Sequence, residues 1–264
     1  MAFDSTAPRA AAPVRYDRRY RRDGVTMAYT ETLGPASQTF VLVHGIGMGR
    51  AVYAGVGDAL AAHGRVLALD LPGFGDSPEP GSAATLEETA DTVARFIAQE
   101  TDGPVVLVGH SMGTQIVAEV ALRYSELVST LVLIAPTVNR HERTALRQAA
   151  RMVQDLTGER PKVLLMGLWQ YAKTNPIWFA NKLRFMLAHH LERISPEIHT
   201  PTLVLRGETD RVCPRDWVSE VAALLPRSEM AEIPGRGHEA IIRSAEPAAA
   251  MILGFLAEQR TGTA

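Results

Sequence analysis

Two hydrophobic rhythms alternate along this chain. Short, nearly unbroken apolar runs read as buried strands: Thr39 to Val43, Arg65 to Leu69, Pro104 to Val108, Thr130 to Ala135 and Thr202 to Arg206, and the more polar Ser228 to Ile233 reads as the last strand. Between them run stretches apolar at helical spacing: Val52 to His63, Thr85 to Gln99, Thr114 to Tyr124, and a closing helix from Ala240 onward. Thr85-Leu86-Glu87-Glu88 is a capping box, and Leu86, Ala90, Val93, Ala94 and Ile97 mark one buried face of its helix. Val25 to Glu31 alternates with period two after Asp23-Gly24, as the second strand of an edge hairpin does. Strands that alternate with helices predict an α/β fold, a mostly parallel sheet of about eight strands with helices on both faces.

The rhythm breaks once. Residues 137–198 carry helical pattern and no clear strand, so they form an insertion after the sixth strand. The predicted organisation is a flexible tail over residues 1–13, a core from 14–136 and 199–264, and the insertion between the two core parts.

Composition narrows the classes. With 264 residues and 46% hydrophobic content, one α/β domain with a substantial core is expected. The formal net charge of −2 gives no reason to expect nucleic acid. Arg15, Arg18, Arg19, Arg21 and Arg22 cluster, but without an aromatic platform they read as the solvated edge of the first strands. Cys213 stands alone, so no internal disulfide can form and a reducing cytoplasm is expected. No window approaches the roughly 18 apolar residues of a spanning helix, so no membrane partner is expected. The first residues lack the basic and apolar regions of a signal peptide.

Chemistry enters at Gly109-His110-Ser111-Met112-Gly113, between an apolar strand and a helix. This is a G-x-S-x-G element in the strand–turn–helix setting of a nucleophile elbow. The turn forces Ser111 into a sparsely allowed backbone region, and side chains at either glycine would collide with neighbouring backbone. The helix that follows points its free N–H groups at the serine. A second glycine loop, His44-Gly45-Ile46-Gly47-Met48-Gly49, follows the strand ending at Val43. Dinucleotide phosphates bind such loops, and Asp70 lies at the distance that fingerprint asks. Either glycine frame, however, puts Arg50 or Val52 where helix–strand packing needs a small residue. Asp70 and Asp76, within the Pro/Gly loop Asp70 to Ser77, are expected to bond turns and cap a helix.

The elbow, its flanks and two later loops resemble the α/β-hydrolase fold over residues from about Val25 to Leu256. The resemblance implies a serine hydrolase. Catalytic Ser111, Asp210 and His238 occur in the family's chain order, each just past a predicted strand. The resemblance also allows an acid after the sixth strand, but that loop, Pro136-Thr137-Val138-Asn139, holds no carboxylate, so Asp210 is the better candidate, with Glu208 a poor second. The resemblance gives the oxyanion donors as the N–H groups of Ile46 and Met112, with His44 structural and His110 pointing away from the site. The insertion becomes a helical cap over the site. Met48, Trp169, Trp178, Phe179, Met186 and Val212 are its candidate pocket residues. No cofactor is implied, and no H-E-x-x-H or Cys/His cluster offers a metal site. Serine at the elbow argues against the family's epoxide hydrolases and dehalogenases, which carry aspartate there, and Gly-His-Ser-Met-Gly resembles esterases and lipases, which implies a carboxylesterase acting on small or medium, fairly apolar esters. The other readings are a C–C bond hydrolase of vinylogous diketones, a lactonase, thioesterase or perhydrolase, and a non-enzymatic ligand-binding or signalling protein. The expected partner is a small ester-like molecule, and the oligomeric state stays open between monomer and homodimer.

Overall fold

The computed structural model describes residues 13–35, 38–156, 175–243 and 245–261. Trp169, one of the candidate pocket residues, lies outside them, as does nearly all of the expected tail. Eight strands form one sheet: β1 Arg15–Arg22, β2 Val25–Thr32, β3 Thr39–Val43, β4 Arg65–Leu69, β5 Val105–His110, β6 Val128–Ile134, β7 Thr202–Gly207 and β8 Ser228–Ile233. Their order is β1-β2-β4-β3-β5-β6-β7-β8. The β1–β2 and β2–β4 pairs are antiparallel, and every pair from β4 to β8 is parallel.

Strand alternation divides the core between the two faces. Val41, Val43, Leu67, Leu69, Val105 and Leu107 point to one side. There they meet α2 (Leu86–Glu100) and α3 (Met112–Arg123), and α7 (Arg215–Leu224) adds Trp217, Val218 and Val221. Phe40, Leu42, Val66, Ala68, Val106 and Val108 point to the other side, toward α1 (Ala54–Ala61), α8 (Ala240–Arg243) and α9 (Ala245–Thr261). The central strands are buried on both faces, which is why they read as continuous apolar runs.

The expected helix over Val52 to His63 is shorter. A 3₁₀ turn, Arg50–Tyr53, precedes α1, which ends at Ala61. Gly64, just past the helix, makes room for the Gln38 carbonyl, which a Cβ there would approach to 2.2 Å. The capping box forms as read: Thr85 Oγ1 accepts from the Glu88 N–H, and Glu88 accepts from the Thr85 N–H. The Asp70 carboxylate binds the loop around it, taking the N–H groups of Arg50 (2.5 Å) and Asp76 (2.8 Å) and pairing with the Arg50 guanidinium. Asp76 caps no helix and pairs with Arg50 at 2.8 Å. The arginine cluster lies on edge strand β1, where Arg15 pairs with Asp58 and Arg18 with Glu31.

Between β6 and β7 the described chain forms α4 (Ala145–Leu156), α5 (Pro176–Ala188) and α6 (Leu191–Ile194), and no strand. This inserted segment docks on the core at specific points. The Trp178 ring sits on Gly73, where a Cβ would come within 2.2 Å of it. Gln115 on α3 donates to the Met186 carbonyl at 3.0 Å. The buried Lys182 ammonium donates to the Ala84 carbonyl at 2.6 Å and to Thr89 Oγ1 at 3.2 Å.

Candidate active site

The strand β5 runs to His110 and the helix α3 begins at Met112, so Ser111 alone makes the turn. Its backbone lies at φ 54°, ψ −124°. Such a conformation costs a non-glycine residue on the order of 1–3 kcal/mol and persists only where its surroundings over-determine it. Here they do. The Ser111 N–H donates to the Ile134 carbonyl at 3.0 Å, and the Ser111 carbonyl accepts from the N–H (2.9 Å) and hydroxyl (2.6 Å) of Thr114. A Cβ at Gly109 would come within 2.5 Å of the Gly113 carbonyl oxygen, and one at Gly113 within 2.2 Å of the Val43 oxygen. Only glycine lets the helix leave the strand at this angle.

Asp210 and His238 come from loops that touch. A Cβ on Gly207 would lie 2.3 Å from the Arg236 and Gly237 oxygens, and Thr209 N–H donates to the Arg236 carbonyl at 2.8 Å. Asp210 Oδ1 accepts from the N–H groups of Val212 and Cys213, each at 2.8 Å. Its Oδ2 lies 3.0 Å from His238 Nδ1, and His238 Nε2 lies 3.1 Å from Ser111 Oγ. All three residues are buried. Burial by itself would depress the imidazole, but the Asp210 charge and hydrogen bond, joined by Asp155, outweigh it and hold His238 above its ordinary value. Glu208 is a loop fastener: exposed, its carboxylate takes the Gly235 N–H at 2.7 Å.

The glycine loop after β3 lies directly over the serine. A Cβ on Gly45 would be 2.9 Å from Ser111 Cβ and 3.4 Å from its Oγ. His44 fixes that loop, its Nδ1 2.7 Å from the Gly45 carbonyl and its Nε2 accepting from the Leu71 N–H at 3.0 Å. The Ile46 backbone is thereby held beside the elbow, and Met112 opens α3, where the first N–H groups lack helical partners.

Other residues around the base escaped sequence reasoning. His110 does not point away from the site. Its ring centre lies 5.1 Å from that of His238, and its Nε2 is 2.9 Å from the His238 carbonyl. Burial, and then the neighbouring His238, push its pKa down to about 3. Neutral His110 is therefore a donor that holds the base's own backbone. Arg206 donates to the carbonyls of Cys213 and Asp210, both at 3.0 Å, and supports the acid loop from beneath. Asp155, on the inserted segment, accepts from the backbone of both loops. Nothing local in the sequence marks these roles, because each is defined by a backbone group distant in sequence or by a loop's folded shape.

Asp210, Cys213 and His238 bring donor atoms within 4.8 Å of one another. They do not read as a metal centre: burial pushes the Cys213 thiol well up, and its Sγ is bonded to the Pro136 carbonyl at 3.2 Å. Among the candidate pocket residues, Val212 adjoins Asp210 through its N–H. Trp178, Phe179 and Met186 join the apolar cluster on the α2–α3 face, while Met48 packs, half-buried, on the α1 face.

Comparison with known proteins places this arrangement. Residues 40–251 match the model of the alpha/beta hydrolase family. The chain belongs to that family. It is 28% identical over 257 residues to a pimeloyl-[acyl-carrier protein] methyl ester esterase of Vibrio cholerae, covering 88% of this chain and 99% of that one. It is 29% identical over 268 residues to a 2-hydroxy-6-oxo-6-(2'-aminophenyl)hexa-2,4-dienoic acid hydrolase of Metapseudomonas resinovorans, covering 92% and 91%. Its fold superimposes with a TM-score of 0.78 on a thermophilic esterase from Thermogutta terrifontis, at 23% identity, covering 93% of this chain and 98% of that one. Among the described residues, no helix is long and apolar enough to cross a membrane.

Proposed function

We propose that this hydrolase cleaves carboxylic esters of small to medium, fairly apolar substrates through an acyl-enzyme. The observation that carries the reading is the continuous Ser111–His238–Asp210 relay at a strained elbow, with separations of 3.1 and 3.0 Å. Ser111 Oγ attacks the carbonyl carbon while His238 Nε2 takes its proton. Asp210 keeps the imidazole tautomer and stabilises the imidazolium. The N–H groups of Ile46 and Met112 receive the oxyanion, each donor contributing about 3 kcal/mol. The alcohol departs with the proton from His238. Water, deprotonated by the same imidazole, then releases the acid and restores the serine. The insertion acts as the cap, with Trp178, Phe179 and Met186 from it and Val212 from the acid loop as candidate pocket residues; Met48, which packs on the α1 face, fits that role least. Ester hydrolysis also agrees with the name of the Vibrio relative.

A p-nitrophenyl ester series of increasing acyl length tests this. Cleavage lost by roughly 10⁴-fold or more in Ser111→Ala is expected. A wild type inert to every chain length overturns the ester reading.

The Metapseudomonas relative favours a second reading, hydrolysis of a C–C bond in a vinylogous diketone. His110, Gly113 and Thr114 stand where such enzymes usually have Asn before the serine and Gly-Gly after the next residue. Turnover of a 2-hydroxy-6-oxo-dienoate with esters left intact would establish that reading instead.

A further inference from the structure

We infer that Asp155, contributed by the inserted segment, is a positioning residue that fastens the acid loop to the base loop and sets the Ser111–His238–Asp210 geometry; the inference rests on the triad reading above. Its carboxylate spans the two loops. Oδ1 accepts from the Arg211 N–H at 3.0 Å, one residue beyond Asp210, and Oδ2 accepts from the His238 N–H itself, also at 3.0 Å. The approach is built for it: a Cβ on Gly237 would stand 2.9 Å from Asp155 Oδ2.

Asp155 is only 9% exposed. A buried carboxylate is costly unless its lone pairs are satisfied. Here both partners are backbone N–H groups of the two catalytic loops, and none of the ion pairs among the described residues involves Asp155. The charged and titratable groups that face it are His238, Asp210, Cys213 and Glu239, the last lying with Asp155 about the Gly237 position. Burial pushes its carboxyl up, while the two N–H bonds and then His238 pull it down.

Two consequences follow. The bridge holds His238 at the height where one ring edge meets Asp210 and the other meets Ser111. Its charge also adds to that of Asp210 in favouring the imidazolium. Because Asp155 belongs to α4, the triad is set only while the inserted segment is docked. This makes the segment part of the catalytic frame as well as a cover.

The test needs no knowledge of the substrate. The His238 imidazole is titrated by NMR, and Ser111 is labelled with a fluorophosphonate, in wild type, Asp155→Asn and Arg143→Ala. Arg143→Ala loosens the same segment away from the loops, since Arg143 binds the Leu187 and His189 carbonyls and Glu192. Asp155→Asn is expected to lower the His238 midpoint and slow labelling at pH 7 by about tenfold or more, as small misplacements of reacting groups do. Arg143→Ala is expected to keep the wild-type midpoint. In the wild type the Arg211 and His238 amides are expected to exchange slowly, a measurement independent of how any variant folds. An unmoved midpoint in Asp155→Asn, the same shift in Arg143→Ala, or fast exchange at both amides overturns the inference. A wild type that takes no label while the midpoint still moves counts against the hydrolase reading and for the role of Asp155.

Discussion

His238 shows how a single residue's surroundings set its chemistry. It is buried, which favours the neutral ring, yet three carboxylates, Asp210, Asp155 and Glu239, raise its pKa. Protonated imidazole cannot take the serine proton, so kcat/KM is expected to rise with pH through this group. The midpoint should lie above the ordinary histidine value of about 6.5. Asp210→Asn removes the main raising charge and leaves Nδ1 without its acceptor. The acid limb should move to lower pH while kcat falls by about 10⁴-fold. A pH–rate profile of both proteins checks the sign, and a limb that moves upward contradicts it. Ser111 was picked out by the fixed spacing of its elbow motif and Asp210 and His238 by the order the family resemblance implies, and the structure brings the three within hydrogen-bond reach. His110 and Asp155 were not legible. The first binds a carbonyl 128 residues away and the second an N–H 83 residues away, and one sequence holds no trace of such pairings.

At the scale of elements, two of the ties between the inserted segment and the core are directly testable. Gly73 has φ +82°, and any side chain there meets the Trp178 ring. Gly73→Ala therefore combines a disfavoured backbone with overpacking and is expected to cost about 1–3 kcal/mol in urea unfolding. Lys182 on α5 is a buried ammonium bonded to two neutral acceptors, and burial lowers its pKa from 10.5 to about 8, against a smaller opposing pull from Glu88. The unfolded chain then holds this proton more tightly than the folded one between those two values. Stability should gain from this group as pH rises from 8 to 10.5. Urea unfolding across that range is expected to show a rise in wild type relative to Lys182→Met, and parallel profiles would contradict it. The central strands β3 to β7 were readable to within about two residues because their two-sided burial leaves continuous apolar runs. The 3₁₀ entry to α1 was not, since Arg50 owes its conformation to Asp70, twenty residues on.

Across the whole molecule, the sheet order β1-β2-β4-β3-β5-β6-β7-β8 brings together loops far apart in the chain. The parallel strands β3, β5, β7 and β8 end at one edge. Gly45-Ile46, Ser111, Asp210 and His238 therefore meet there, as ligand sites do in open α/β sheets. The antiparallel β1 closes the far side with exposed arginines, a charged edge that resists pairing with another chain. This architecture was legible from the alternation of strand and helix, and where that alternation lapses, between β6 and β7, the described residues form helices and no strand. The path of the insertion over the core was not, because its helices dock through isolated contacts such as Trp178 on Gly73 instead of a repeating pattern. The central claim is that this frame makes Ser111 an acyl-accepting nucleophile, and mass spectrometry after fluorophosphonate treatment tests it most directly. One adduct on the peptide containing Ser111 is expected in wild type, and none in Ser111→Ala. An adduct on another residue, or equal labelling of Ser111→Ala, contradicts the claim.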